Sequence, residues 1–216
     1  MSGGGALAAS LRLVVILDEG AARGRDLAAL AASAAMGGAT MLQLRDKVSP
    51  PAALAQTARR ILAAVPGLPL IINDRLDVAL AAGAAGCHLG QDDFPIAEAR
   101  SFAPAGFLIG GSAGNADEAA RATRAGAHYL GVGPVRMTDH KADAGAAIGI
   151  EGFARVRAAT TLPCVAIGGV GAADIPALRA AGAAGVAVIG AVLGADDAEA
   201  ATRLLAEALK RPGVEA

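Results

Sequence analysis

Short, uninterrupted apolar runs alternate along this chain with longer alanine-rich stretches of helical spacing. One signature occurs four times, a small-residue helix end carrying glycine followed directly by an apolar run: AMGGATMLQLR, AAGAAGCHLGQ, RAGAHYLGVG and AAGAAGVAVIG. Glycine at a helix carboxyl end takes the left-handed conformation at little cost, and a short continuous apolar run suits a strand buried on both faces. The glycines of this signature, Gly37, Gly83, Gly126 and Gly182, lie 46, 43 and 56 residues apart, room for two strand–helix units each time. The intervening strands are found at LRLVVILD, LPLIIND, FLIGGS and LPCVAIGG. Helices are predicted over Asp26–Met36, Pro51–Ala64, Asp117–Ala125, Ala173–Ala181 and Asp197–Leu209.

Strict alternation of strand and helix requires a parallel sheet, and eight units favour closure into a single-domain α/β fold, the (β/α)8 TIM barrel. An open dinucleotide-binding sheet would need a G-x-G-x-x-G turn after the first strand, where this chain reads ILDEGAARGRD. The length of 216 residues is close to the lower limit of ~200 for such a barrel. We therefore expect one domain over 11–210, a flexible lead-in at 1–10 and a tail at 211–216.

Composition narrows the function. Only 2% of residues are aromatic, so the core is built from small and aliphatic side chains. A net charge of −1 argues against nucleic acid as a partner and leaves any anion site to be assembled locally. Cys87 and Cys164 lie inside apolar runs and read as core thiols. No run reaches the ~18 apolar residues of a membrane span, and the first residues lack a basic leader, so a cytoplasmic protein without a membrane partner is expected. A homo-oligomer remains open.

In a barrel of this kind the site is built at the carboxyl ends of the strands. Gln43, Arg45 and Lys47 stand two apart at the end of strand two and project to one side, as an anion clamp would; a salt-bridged rim is the structural alternative. Strand three ends in Asn73 and Asp74, and strand four runs on to Asp92 and Asp93. Asp74 and Asp93 suit one Mg²⁺, which takes few carboxylates and keeps waters and phosphate oxygens as its other ligands. Asp93 also precedes FPIAEAR and reads equally as a helix cap. Strand five ends in a glycine pair and Ser112, and strand six feeds a long loop carrying Arg136, Thr138, His140 and Lys141. Gly168, Gly169, Ile189 and Gly190, after strands seven and eight, fall where such barrels bind phosphate. His88 and His128 lie within strand runs and read as hydrogen-bonded interior groups.

These residues carry a resemblance. From about Leu11 to Leu205 the chain resembles the thiamine phosphate synthase family, with Gln43, Arg45 and Lys47 matching its Q-x-R-x-K, then Asn73-Asp74, HLGQDD and GGS in order. The resemblance implies that Gln43, Arg45, Lys47 and Asn73 bind an aminopyrimidine diphosphate, with Asp74 and Asp93 on Mg²⁺. It implies that Ser112 and Lys141 contact the leaving diphosphate, and that Gly169, Ile189 and Gly190 hold a thiazole phosphate. Thr138, Asp139 and His140 complete the expected substrate contacts, and Lys141, Ser112, Arg45 and Lys47 are the expected catalytic residues. The implied reaction joins the two phosphorylated substrates into thiamine phosphate and pyrophosphate. Three positions depart from the family pattern: GPVRMTDHK places Arg136 and His140 where an aromatic residue and a second threonine are usual, and Gly190 replaces a serine. A thiazole tautomerase of the same fold and a non-catalytic thiazole or thiamine phosphate-binding protein are the alternatives. The tautomerase has no use for a metal–diphosphate pocket and usually carries histidine where this chain has Pro134.

Overall fold

The computed structural model describes residues 3–138 and 145–211. Eight parallel strands close into a barrel in sequence order. They are β1 (Leu13–Asp18), β2 (Met41–Arg45), β3 (Leu70–Asn73), β4 (Gly86–Leu89), β5 (Leu108–Ala113), β6 (Tyr129–Val132), β7 (Cys164–Ile167) and β8 (Gly185–Val188). Around them lie α1 (Gly3–Ser10), α2 (Glu19–Ala22), α3 (Leu27–Gly37), α4 (Pro51–Ala64), α5 (Leu76–Ala82) and α6 (Ile96–Phe102). The ring continues with α7 (Ala116–Arg124), α8 (Gly149–Ala158), a 3₁₀ turn (Ala172–Asp174), α9 (Ile175–Ala180), α10 (Gly190–Leu193) and α11 (Ala198–Lys210). The fold class read from the alternation is the observed one.

Alternation along each strand divides the buried side chains between two cores. Val14 and Ile16 of β1, Met41, Ile71, Tyr129, Val165 and Ala187 fill the barrel interior. Leu13, Val15 and Leu17, with Leu42, Leu44, Leu70 and Ile72, face outward onto the helices. Cys87 and Cys164 are free and buried in this outer core, and burial pushes their thiols up to about 12 and about 11, which keeps them protonated and inert. Helix starts follow from local chemistry. Asp26 accepts hydrogen bonds from the Ala28 and Ala29 amides at the head of α3, and Asp197 accepts one from Ala200 at the head of α11.

Two local features differ from, or add to, the sequence reading. Gly38, not Gly37, takes the left-handed turn after α3; Gly37 is still helical, and a side chain there would come within 2.6 Å of the Glu199 carbonyl on α11. Its glycine serves close helix packing rather than turning. The stretch 3–10 forms α1, whose Leu7 packs against the interior core. Residues 212–216 of the expected tail lie outside the described residues.

Candidate active site

The carboxyl ends of the strands open into one cavity of about 1020 Å³. Its wall has two halves. From β2 to β5 it is polar, lined by Gln43, Arg45, Lys47, Asn73, Asp74, Asp93 and Ser112; from β7 through β8 to β1 it is apolar, lined by Val165, Ile167, Val188, Val14 and Ile16.

The two-residue spacing on β2 does bring Gln43, Arg45 and Lys47 to this one space. The structure adds that each cation already faces a carboxylate. Register places Asp18, the last residue of β1, opposite Arg45, and its Oδ2 accepts from Arg45 Nη1. Asp18 is 6% exposed, and its Oδ1 accepts from the Ala21 amide at 2.8 Å, capping α2. Lys47 Nζ lies 2.5 Å from Asp74 Oδ2. Both cations thus stand in salt bridges, as the rim alternative expects, while their side chains still line the cavity.

Asp74 is one of two non-glycine residues with positive φ (63°) among the described residues; its amide donates to the His88 carbonyl at 2.8 Å, which pins the β3 end against β4. Asp93 meets it across the cavity. Burial raises the Asp93 carboxyl above its ordinary value, and the neighbouring Asp74 carboxylate raises it further. The helix-cap reading of Asp93 does not hold: α6 starts at Ile96 after Pro95, with no side-chain cap. Asp93 Oδ2 instead accepts from the Gly90 amide at 2.7 Å, closing the turn that aims it at Asp74.

Ser112, near the end of β5, lies 3.1 Å from His88 Nε2, and His88 Nδ1 lies 3.3 Å from the Tyr129 hydroxyl. Both rings line the cavity floor, and burial raises the Tyr129 phenol, so it stays a neutral hydroxyl. Beside them Glu118 Oε2 accepts from the Gln91 side chain and from the Gly114 amide, both at 2.7 Å, tying the β4 and β5 loops together. Sequence reasoning gave His88 only an interior role and passed over Asp18, Tyr129 and Glu118. Polar residues at or beyond strand ends were the available signal for Asp18 and Glu118.

The loop after β6 is stitched at its base. The Val135 and Arg136 amides donate to the Ile167 and Gly168 carbonyls at 2.8 and 2.9 Å, and the Ile148 amide donates back to the Pro134 carbonyl at 2.8 Å. Arg136 turns away from the cavity to Asp174, its Nε donating at 2.9 Å to Oδ1. Thr138 lines the cavity, whereas Asp139, His140 and Lys141 lie outside the described residues. Gly168 and Gly169 both have positive φ, and a side chain on Gly169 would come within 2.6 Å of the Met137 carbonyl, so the loop base rests on the glycine pair. Ile189 and Gly190, at the start of α10, line the same wall as Gly169.

A family model described as thiamine monophosphate synthase matches residues 13–192. The chain belongs to this family. It is 49% identical to a thiamine-phosphate synthase of Methanoculleus marisnigri over 89% of this chain and 92% of that protein. A thiamine-phosphate synthase of Chloroflexus aurantiacus is 46% identical over 90% of each chain. Among solved structures, a thiamine phosphate pyrophosphorylase from Pyrococcus furiosus superposes with a TM-score of 0.86 at 34% identity, covering 94% of this chain and 98% of that one. A 3-hexulose-6-phosphate synthase, at 23% identity and a TM-score of 0.70, shares the fold. As a member of the thiamine monophosphate synthase family, the protein is a transferase that forms thiamine phosphate from small phosphorylated substrates. The tautomerase and binding-protein alternatives are not favoured. No helix among the described residues is long and apolar enough to cross a membrane.

Proposed function

We propose that the polar half of the cavity receives 4-amino-2-methyl-5-hydroxymethylpyrimidine diphosphate, and that 4-methyl-5-hydroxyethylthiazole phosphate is held against Gly169, Ile189 and Gly190. The observation that carries this reading is the gathering of Gln43, Arg45, Lys47, Asn73, Asp74, Asp93 and Ser112 from four successive strands onto one wall. Arg45, Lys47, Ser112 and Lys141 contact the diphosphate, and Thr138, Asp139 and His140 complete the substrate contacts.

The donor set fits Mg²⁺. Asp74 and Asp93 are neighbouring carboxylates, the Asp74 carboxylate disfavours charge on Asp93, and a divalent cation between them would relieve that repulsion. Among the described residues no third His, Cys, Asp or Glu joins them, so the remaining ligands would be phosphate oxygens and water. Bound there, Mg²⁺ would stabilise the negative charge that develops on the departing diphosphate.

The chemistry asks the protein for position and charge. The aminopyrimidine ring stabilises a cation on its exocyclic methylene, so the C–O bond breaks with its electron pair leaving on the diphosphate. The thiazole nitrogen then donates its lone pair to form the C–N bond. Arg45, Lys47 and Ser112 meet the leaving oxygens, and Val14, Ile16, Val165, Ile167 and Val188 make a wall that keeps water from the cation. No protein nucleophile is required.

The test is a purified-protein assay with both substrates, following thiamine phosphate directly with Mg²⁺ and with EDTA. Turnover is expected with Mg²⁺ alone, and Asp93→Ala should abolish it while circular dichroism stays unchanged. Near-normal turnover by folded Asp93→Ala would overturn the metal assignment.

A further inference from the structure

We propose that Asp18 is a positioning residue for the pyrimidine-diphosphate half of the reaction, acting through Arg45. The inference rests on the reading of Arg45 as a diphosphate contact.

Asp18 ends β1 on the same side as Val14 and Ile16, so alternation turns it into the barrel, where it is 6% exposed. It does not line the cavity; Arg45 does. Arginine is long and flexible, and an unheld guanidinium would sample many orientations at the cavity edge. Here one Nη is fixed on Asp18 Oδ2 across the β1–β2 register, and the Arg45 side chain is 16% exposed. A charge-assisted bond of this kind leaves the rest of the planar fork at one angle to the polar wall. Judged by charge alone, a carboxylate beside an anion site is a disadvantage. Its presence is understood if orientation of the fork outweighs the attraction it cancels.

The competing account is that Asp18 merely caps α2 through Oδ1 and the Ala21 amide. Asparagine caps helices about as well as aspartate. Asp18→Asn therefore keeps the cap and the shape, while it removes the charge and turns one former acceptor into a donor facing Arg45.

The experiment measures the KM of each substrate in Asp18→Asn, Arg45→Ala and the double variant, with thermal midpoints alongside. Positioning predicts that Asp18→Asn raises the KM of the aminopyrimidine diphosphate about tenfold. The KM of the thiazole phosphate should stay within about twofold. In the Arg45→Ala background the Asp18 change should add nothing further. Equal rises in both KM values with a lowered midpoint, or a fall in the diphosphate KM, overturns the proposal. If Arg45→Ala raises that KM and Asp18→Asn does not, the inference fails alone. If Arg45→Ala leaves it unchanged, the diphosphate reading of Arg45 fails and the inference with it.

Discussion

Gly110 is the position where the smallest change should reach furthest. It lies on β5 between the His88 and Tyr129 rings. A methyl group there would come within 2.5 Å of His88 Nδ1 and 2.6 Å of Tyr129 Cε1, where ordinary contact begins at 3.4 Å. Each ring must therefore retreat by roughly 1 Å, and Tyr129 is 3% exposed and packed among interior aliphatics that resist the shift. Overpacking of this kind costs about 1–3 kcal/mol. At ~3 °C per kcal/mol for a domain of this size, Gly110→Ala should lower the thermal midpoint by about 3–9 °C. The same displacement disturbs the 3.1 Å contact between His88 and Ser112, so turnover should fall with stability. Differential scanning calorimetry and a steady-state assay on one preparation read both. A midpoint within about 1 °C of the parent, with unchanged turnover, would refute the packing argument.

Asp174→Asn should destabilise the protein at neutral pH, because the Arg136 guanidinium holds the Asp174 carboxyl below its ordinary value of 3.8. A depressed folded value means the stabilisation is complete above the ordinary value and is lost as pH falls through the folded one. Denaturant titrations should thus show the difference from the parent closing in acid, and a constant difference would contradict the assignment. Lys141→Ala should lower kcat about a hundredfold with a smaller change in the KM of the thiazole phosphate, as expected of a group that meets the leaving diphosphate. The reverse pattern in steady-state kinetics would place Lys141 on the thiazole side.

The strands were legible because burial on both faces makes each a continuous apolar run; the first was expected at 11–18 and is Leu13–Asp18. The spacing of Gln43, Arg45 and Lys47 was enough to bring them to one side. It could not pair Arg45 with Asp18 or Lys47 with Asp74, since those neighbours depend on the register and approach of separate strands. His88 and Tyr129 were hidden for a related reason. Their room comes from the missing side chain of Gly110 on an adjacent strand, and a single strand does not reveal what its neighbour omits. Asp93 looked like a cap because its sequence context matched one, yet Pro95 takes that position in the fold.

Closure of the barrel joins the beginning of the chain to its end: Leu13 of β1 pairs with Val186 of β8, and α11 packs on α3 through Gly37. During synthesis β1 therefore has a bare edge until β8 has been made. At about 5–20 residues per second that wait is on the order of ten to thirty seconds. An apolar edge left open that long can pair with another nascent chain. Loss of α11 would prolong the same exposure by removing the helix that packs on α3 and against β1, so a shortened carboxyl terminus should show itself first as aggregation during expression, ahead of any effect on turnover.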